Sequence, residues 1–153
     1  MNEDVSRRSG ELFESGFYCA ESVLLAITES KGIESDLIPK IATGFCSGVS
    51  RTCGMCGAVS GAIMAINLFT GRNSPNESVM ESYTAARKLL EIFETRFGST
   101  NCKNLIGCDL GTEEGQNFFK SNNLRVQCRR YTEEATGIAL SLIEENCRVS
   151  GTQ

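Results

Sequence analysis

The stretch Ala42-Thr-Gly-Phe-Cys-Ser-Gly-Val-Ser-Arg-Thr-Cys-Gly-Met-Cys-Gly-Ala-Val-Ser-Gly-Ala-Ile-Met-Ala-Ile-Asn-Leu-Phe-Thr-Gly-Arg72 changes character halfway along. Its first half strings Gly, Ser and Thr together without apolar periodicity, which is the pattern of a loop. Its second half is helical. Cys56, Val59, Ile63 and Ile66 recur at three- and four-residue spacings and mark one buried stripe. Gly57, Gly61 and Ala65 recur every fourth residue beside it, a face with so little bulk that another backbone can approach closely. Such a face suits packing inside a helical bundle or contact with a second copy of the chain, and internal packing is the commoner use.

Cys56 falls where loop becomes helix. The unpaired N–H groups and the dipole at that end favour an anion, so a thiol there is drawn toward thiolate. Arg51, the one charged residue between Lys40 and Arg72, adds positive charge. Cys53 and Cys56 form a Cys-x-x-Cys, a spacing used by redox thiols and by metal ligands alike. Cys53 and Arg51 are therefore candidates for contact with a cofactor. The thioredoxin-like reading of that motif needs a βαβ setting, which this chain lacks.

Working outward, periodicity and punctuation predict helices on both sides. The first spans about Glu3 to Ser15 and ends at Gly16. A second starts near Tyr18-Cys19, with Cys19, Val23 and Ile27 on one face, and closes at Gly32. A third starts at Ser35-Asp36 and runs to Phe45, with Pro39 tolerated in its first turn. Ser74-Pro75-Asn76-Glu77 is a capping box with proline at the first helical position, opening a helix that stops at Gly98. Residues 99–123 are broken by Gly107, Gly111 and Gly115 into short helical turns and loop. A last helix runs from Leu124 to about Glu145, with Cys128, Tyr131, Ala135, Ile138 and Leu142 on its buried face; Cys147 lies at its frayed end. No alternating run with hairpin punctuation occurs. The expected fold is all-α: one domain over residues 1–153, a bundle of about five longer helices with a glycine- and cysteine-rich loop.

Composition narrows the function. A chain of 153 residues with net charge −4 is long enough for one core and carries no basic surface for nucleic acid or membrane. The polar start Met1–Arg8 does not resemble a signal peptide, and no apolar run reaches spanning length, so a cytoplasmic protein is expected. Eight cysteines are too few for a disulfide scaffold, and reducing cytosol disfavours structural disulfides. The absence of histidine removes His-ligated haem, Cys/His zinc sites and Cys-His nucleophiles together. The pairs Glu113-Glu114, Glu133-Glu134 and Glu144-Glu145 are adjacent in sequence, so they do not share a helical face and read as solvated surface.

Four cysteines stand out by position. Cys19 and Cys128 sit on inward faces of separate helices, Cys56 opens the central helix, and Cys102 precedes the Leu105-Ile106 turn. Cysteines far apart in sequence can converge inside a helical bundle. The blocks Gly16-Phe-Tyr-Cys-Ala-Glu-Ser-Val-Leu24, Thr43-Gly-Phe45 with Cys56-Gly-Ala-Val-Ser-Gly-Ala62, Cys102-Lys-Asn-Leu-Ile-Gly107 and Cys128 resemble, in order and spacing, the C_GCAxxG_C_C putative redox-active proteins. The resemblance covers about Glu11 to Ile143. It implies a helical domain whose functional cysteines are Cys19, Cys56, Cys102 and Cys128. Cys46, Cys53, Cys108 and Cys147 lie outside that pattern.

Two chemistries suit the four. They can cycle between thiols and a disulfide with a redox partner, with Cys56 attacking, or they can hold an iron–sulfur cluster or a zinc ion. Spacing does not choose between them. A non-enzymatic helical module that docks to a redox or transport partner is the third reading.

Overall fold

The computed structural model describes residues 1–151. The described residues form eight helices: α1 Asn2–Ser15, α2 Cys19–Ser30, α3 Cys46–Arg51, α4 Gly57–Thr70, α5 Met80–Phe97, α6 Cys102–Ile106, α7 Glu113–Ser121 and α8 Arg125–Ser150. A 3-10 segment, Lys40–Phe45, leads into α3. Among the described residues there is no strand, only one isolated antiparallel bridge, between Met55 and Asn101. The all-α expectation holds. The expected count, about five longer helices, does not: eight helices form, with the short α3 in a stretch read as loop and the short α6 and α7 where short helical turns were expected.

α4 is the central post. α2, α8 and α5 pack around it, and α1 closes over α2 and α8. Ala58, Val59, Ala62, Ala65 and Ile66 of α4 are buried, and so are Gly57 and Gly61, so both of its predicted stripes face protein. The small-residue stripe serves internal packing. A Cβ at Gly61 would stand 2.5 Å from the Ala20 carbonyl oxygen and 2.9 Å from the Ala20 Cα. Only a glycine lets α2 and α4 come that close.

Three predicted boundaries move. The helix expected over 35–45 is instead a run of turns followed by the 3-10 segment, because Pro39 offers no N–H and biases Ile38 away from helical geometry. The Ser74 capping box closes a turn and not a helix: the Glu77 carboxylate accepts from the Asn73 N–H (3.0 Å), and α5 begins at Met80. α8 runs 26 residues, past the expected stop, so Cys147 lies within it and is exposed. α1 ends as predicted on a left-handed Gly16, and α5 on a left-handed Gly98.

Candidate functional site

The cysteines are gathered by a small backbone frame around the start of α4. The Cys56 N–H donates to the Thr100 carbonyl (2.7 Å) and the Cys102 N–H to the Gly54 carbonyl (2.9 Å), which lays residues 54–56 beside 100–102. The Asn101 side chain donates to the Cys53 carbonyl (2.6 Å). It also accepts from the Asn104 N–H and so caps α6. Two segments distant in sequence thereby deliver Cys56 and Cys102 to one place.

Beneath them lies α3, whose chain is left-handed. Ser47, Gly48, Val49, Ser50 and Arg51 all have φ between 57° and 64°. Consecutive residues in that region are disfavoured for L-amino acids, and a β-branched Val49 there is a true outlier. The turn is held by the Gly54 N–H to the Gly48 carbonyl (2.8 Å) and by the Ser50 hydroxyl to the Gly44 carbonyl (2.7 Å). Its effect is to press Gly48 against Cys102. A Cβ at Gly48 would meet the Cys102 Cβ at 2.6 Å and its Sγ at 3.1 Å.

α8 completes the arrangement. Its Tyr131 donates to the Leu105 carbonyl (3.1 Å) and packs edge-on against Phe97, tying α6 and α5 to α8 beside Cys128. Cys56, Cys102, Cys108 and Cys128 then lie close enough to affect one another's ionisation. Burial first, then Cys56, Cys102 and Cys108, pushes the Cys128 thiol up to about 12, against a smaller opposing pull from Arg125. Burial, with Cys108 and Cys53, pushes Cys102 up to about 11. Cys108 is raised by burial and by Asp109. Tyr131 is raised by burial and by Cys128 and Cys56.

Cys56 reverses an expectation. The Ala58 and Val59 N–H groups at the start of α4 do point at its sulfur and favour thiolate, as helix position predicts. Burial outweighs them, and the thiol is pushed up to about 11. Arg51 is not among the charges that act on it. Arg51 is exposed and lines a surface pocket with Tyr18, Leu110, Phe119 and Arg125.

The other cysteines sort by neighbour. Cys53 has a φ of 59°, and the Asp109 carboxylate beside it raises its thiol; the Gly111 N–H and Cys53 in turn hold Asp109 low. Cys19 touches Gly57, the residue after Cys56, and pairs with Cys46, whose thiol is raised by the Cys19 sulfur and by burial. Three of the four expected cysteines, Cys56, Cys102 and Cys128, thus lie in one set, buried at Cys56 and half-buried at Cys102 and Cys128, and Cys19 borders it through Gly57. Sequence reasoning missed Cys108 as a member and Cys46 as the neighbour of Cys19. Cys46 lies in the glycine-rich stretch ahead of α4, but no offset along the chain shows what it touches.

All eight cysteines are free thiols. Among the described residues no three Cys, Asp or Glu side chains stand in the array a single metal ion needs. A cavity of about 660 Å³ between α1, α5 and α8 contains no cysteine and lies apart from this chemistry. No described helix is long and apolar enough to cross a membrane.

Residues 17–142 match the family model described as Putative redox-active protein (C_GCAxxG_C_C), a span that includes Cys19, Cys56, Cys102 and Cys128. An uncharacterized protein of Archaeoglobus fulgidus is 31% identical over 112 residues, which cover 67% of this chain and 74% of that protein. No solved structure matches.

Proposed function

This chain belongs to the C_GCAxxG_C_C family of putative redox-active proteins, and on that footing we propose that it stores two electrons in its buried cysteine set, Cys56, Cys102 and Cys128 with Cys108, as a dithiol that cycles to a disulfide. The observation that carries this is the convergence of four thiols from four segments, each raised by burial and most by one another. Ionising one burdens its neighbours, so at neutral pH the reduced set is held protonated. A disulfide removes two thiols and both titratable protons from that crowded, dry place. The partner would be a protein or small molecule carrying a disulfide of its own. Two cysteine thiols give up two protons and two electrons, and the partner's disulfide takes them up to become two thiols. Cys19 stands at the border of this set, beside Gly57.

A second reading is favoured by the same electrostatics: thiols that raise one another are also what a bound cation would relieve. An iron–sulfur cluster or a zinc ion held by Cys19, Cys56, Cys102 and Cys128 would draw off those protons. Among the described residues the side chains as they stand do not present a single-ion array, which weighs against the zinc form, and we place the thiol reading first. Purification without oxygen, with iron and zinc analysis and thermal melting before and after chelation, separates the two. The thiol reading expects substoichiometric metal and an unchanged melt. Stoichiometric metal with a large fall in melting temperature on chelation would replace it with the metal reading.

A further inference from the structure

We propose that Cys19 and Cys46 form a second redox dithiol, separate from the buried set, in which Cys19 attacks a low-molecular-weight disulfide and Cys46 resolves the product. Their placement supports this. The Cβ position at Gly57 lies 2.2 Å from the Cys19 Sγ and 3.1 Å from the Cys46 Cα, so both residues crowd one point that is open only because residue 57 has no side chain. The Cys46 thiol donates to the Ala42 carbonyl (3.7 Å), and the nearby Cys19 side chain raises it.

The surroundings differ as an attacking and a resolving thiol require. Cys19 is half-buried and is the first residue of a helix of 12 residues. Cys46 is only 4% exposed. An external disulfide can therefore reach Cys19 and not Cys46. The loop that bears Cys46 is pinned to the helix that bears Cys19. The Thr43 hydroxyl donates to one Glu21 carboxylate oxygen (2.7 Å), and the Tyr18 N–H donates to the other (2.9 Å).

The steps balance. The Cys19 thiol gives its proton to solvent, and its thiolate attacks one sulfur of R–S–S–R, breaking that bond and expelling RS⁻. Cys46 then loses its proton and attacks the Cys19 sulfur of the mixed disulfide, forming the Cys19–Cys46 bond and expelling a second RS⁻. The two thiolates released take up the two protons. Two protein thiols are oxidised, and one external disulfide is reduced to two thiols.

The pair rests on the thiol reading of the neighbouring set, since the metal reading takes Cys19 as a ligand, and one experiment keeps the failure of the pair apart from the failure of that reading. The reduced full chain is treated with oxidised glutathione, free thiols are alkylated, and peptides are mapped by mass. The wild type is expected to yield a Cys19–Cys46 cross-linked peptide lighter by two hydrogens. Cys46→Ser, and Cys46→Ala as a second variant should the first fold poorly, are expected to keep glutathione on Cys19. Cys19→Ser is expected to give neither product. A wild-type map in which Cys56, Cys102, Cys108 or Cys128 are oxidised while Cys19 and Cys46 stay free overturns the pair alone. Unmodified Cys19 in folded Cys46 variants overturns it too.

Discussion

Substituting Gly61→Ala tests the packing that brings the cysteine-bearing elements together. The new Cβ would stand 2.5, 2.9 and 3.1 Å from three atoms of Ala20, all of them backbone. No side chain there can swing aside, so α2 must shift relative to α4. Overpacking of this kind costs about 1–3 kcal/mol, and backbone obstruction belongs at the upper end. Alanine recovers about 1 kcal/mol of helix propensity. The net loss is about 1–2 kcal/mol, or about 2–8 °C of melting temperature for a chain of this size. Gly137→Ala in α8 is the control. Its Cβ would meet only the Ser6 hydroxyl, at 3.0 Å, and that group can rotate away. The propensity gain of about 1 kcal/mol then stands nearly unopposed, and stability should rise. Thermal and urea melts of both variants under reducing conditions decide the matter. A Gly61→Ala protein as stable as the wild type, or both substitutions shifting the melt in the same direction, would refute the close α2–α4 contact.

Asp109→Asn should speed alkylation of Cys53 at fixed pH, because the carboxylate that opposes its thiolate is gone; an unchanged rate in a cysteine-resolved mass assay contradicts the Cys53–Asp109 contact. Tyr131→Phe leaves the Leu105 carbonyl without its donor and should cost about 0.5–1.5 kcal/mol in urea titration, with faster alkylation of Cys102 as α6 loosens. The buried thiols also set a pH dependence. Cys56, Cys102 and Cys128 are raised from 9.0 to about 11, 11 and 12 when folded. Their contribution is therefore fully present below pH 9.0 and is lost as pH rises toward those values, because the unfolded chain ionises first. Reduced protein melted at about pH 8 and about pH 10 should be weaker at the higher value, and equal stability would argue against burial of these thiols.

The helical class, the glycine stops of α1 and α5 and the inward faces of Cys19 and Cys128 were legible because each rests on local periodicity or a local cap. The capping box at Ser74 shows the limit of that reading. Its hydrogen bonds form, one residue displaced, but close a turn before α5 starts. The left-handed α3 has no local signal beyond Gly48, since Val49 and Ser50 adopt it only under tertiary constraint. Cys56 shows a competition that sequence states only by half. The helix-start donors are visible in its position, whereas the burial that outweighs them depends on the assembled bundle. Cys108 joins the set, and Cys46 meets Cys19, through contacts between segments that no spacing along the chain encodes.

In the proposed function the cysteine set holds two electrons as a dithiol with both protons. Its most direct test is the equilibrium midpoint potential of a Cys19→Ser, Cys46→Ser, Cys53→Ser, Cys147→Ser variant in dithiol/disulfide buffers of increasing pH. The set is expected to lose two thiols reversibly. Its potential should fall by about 59 mV per pH unit across the neutral range, as a two-electron, two-proton couple requires. Thiols that stay reduced at every potential, or a midpoint that does not move with pH, would contradict it.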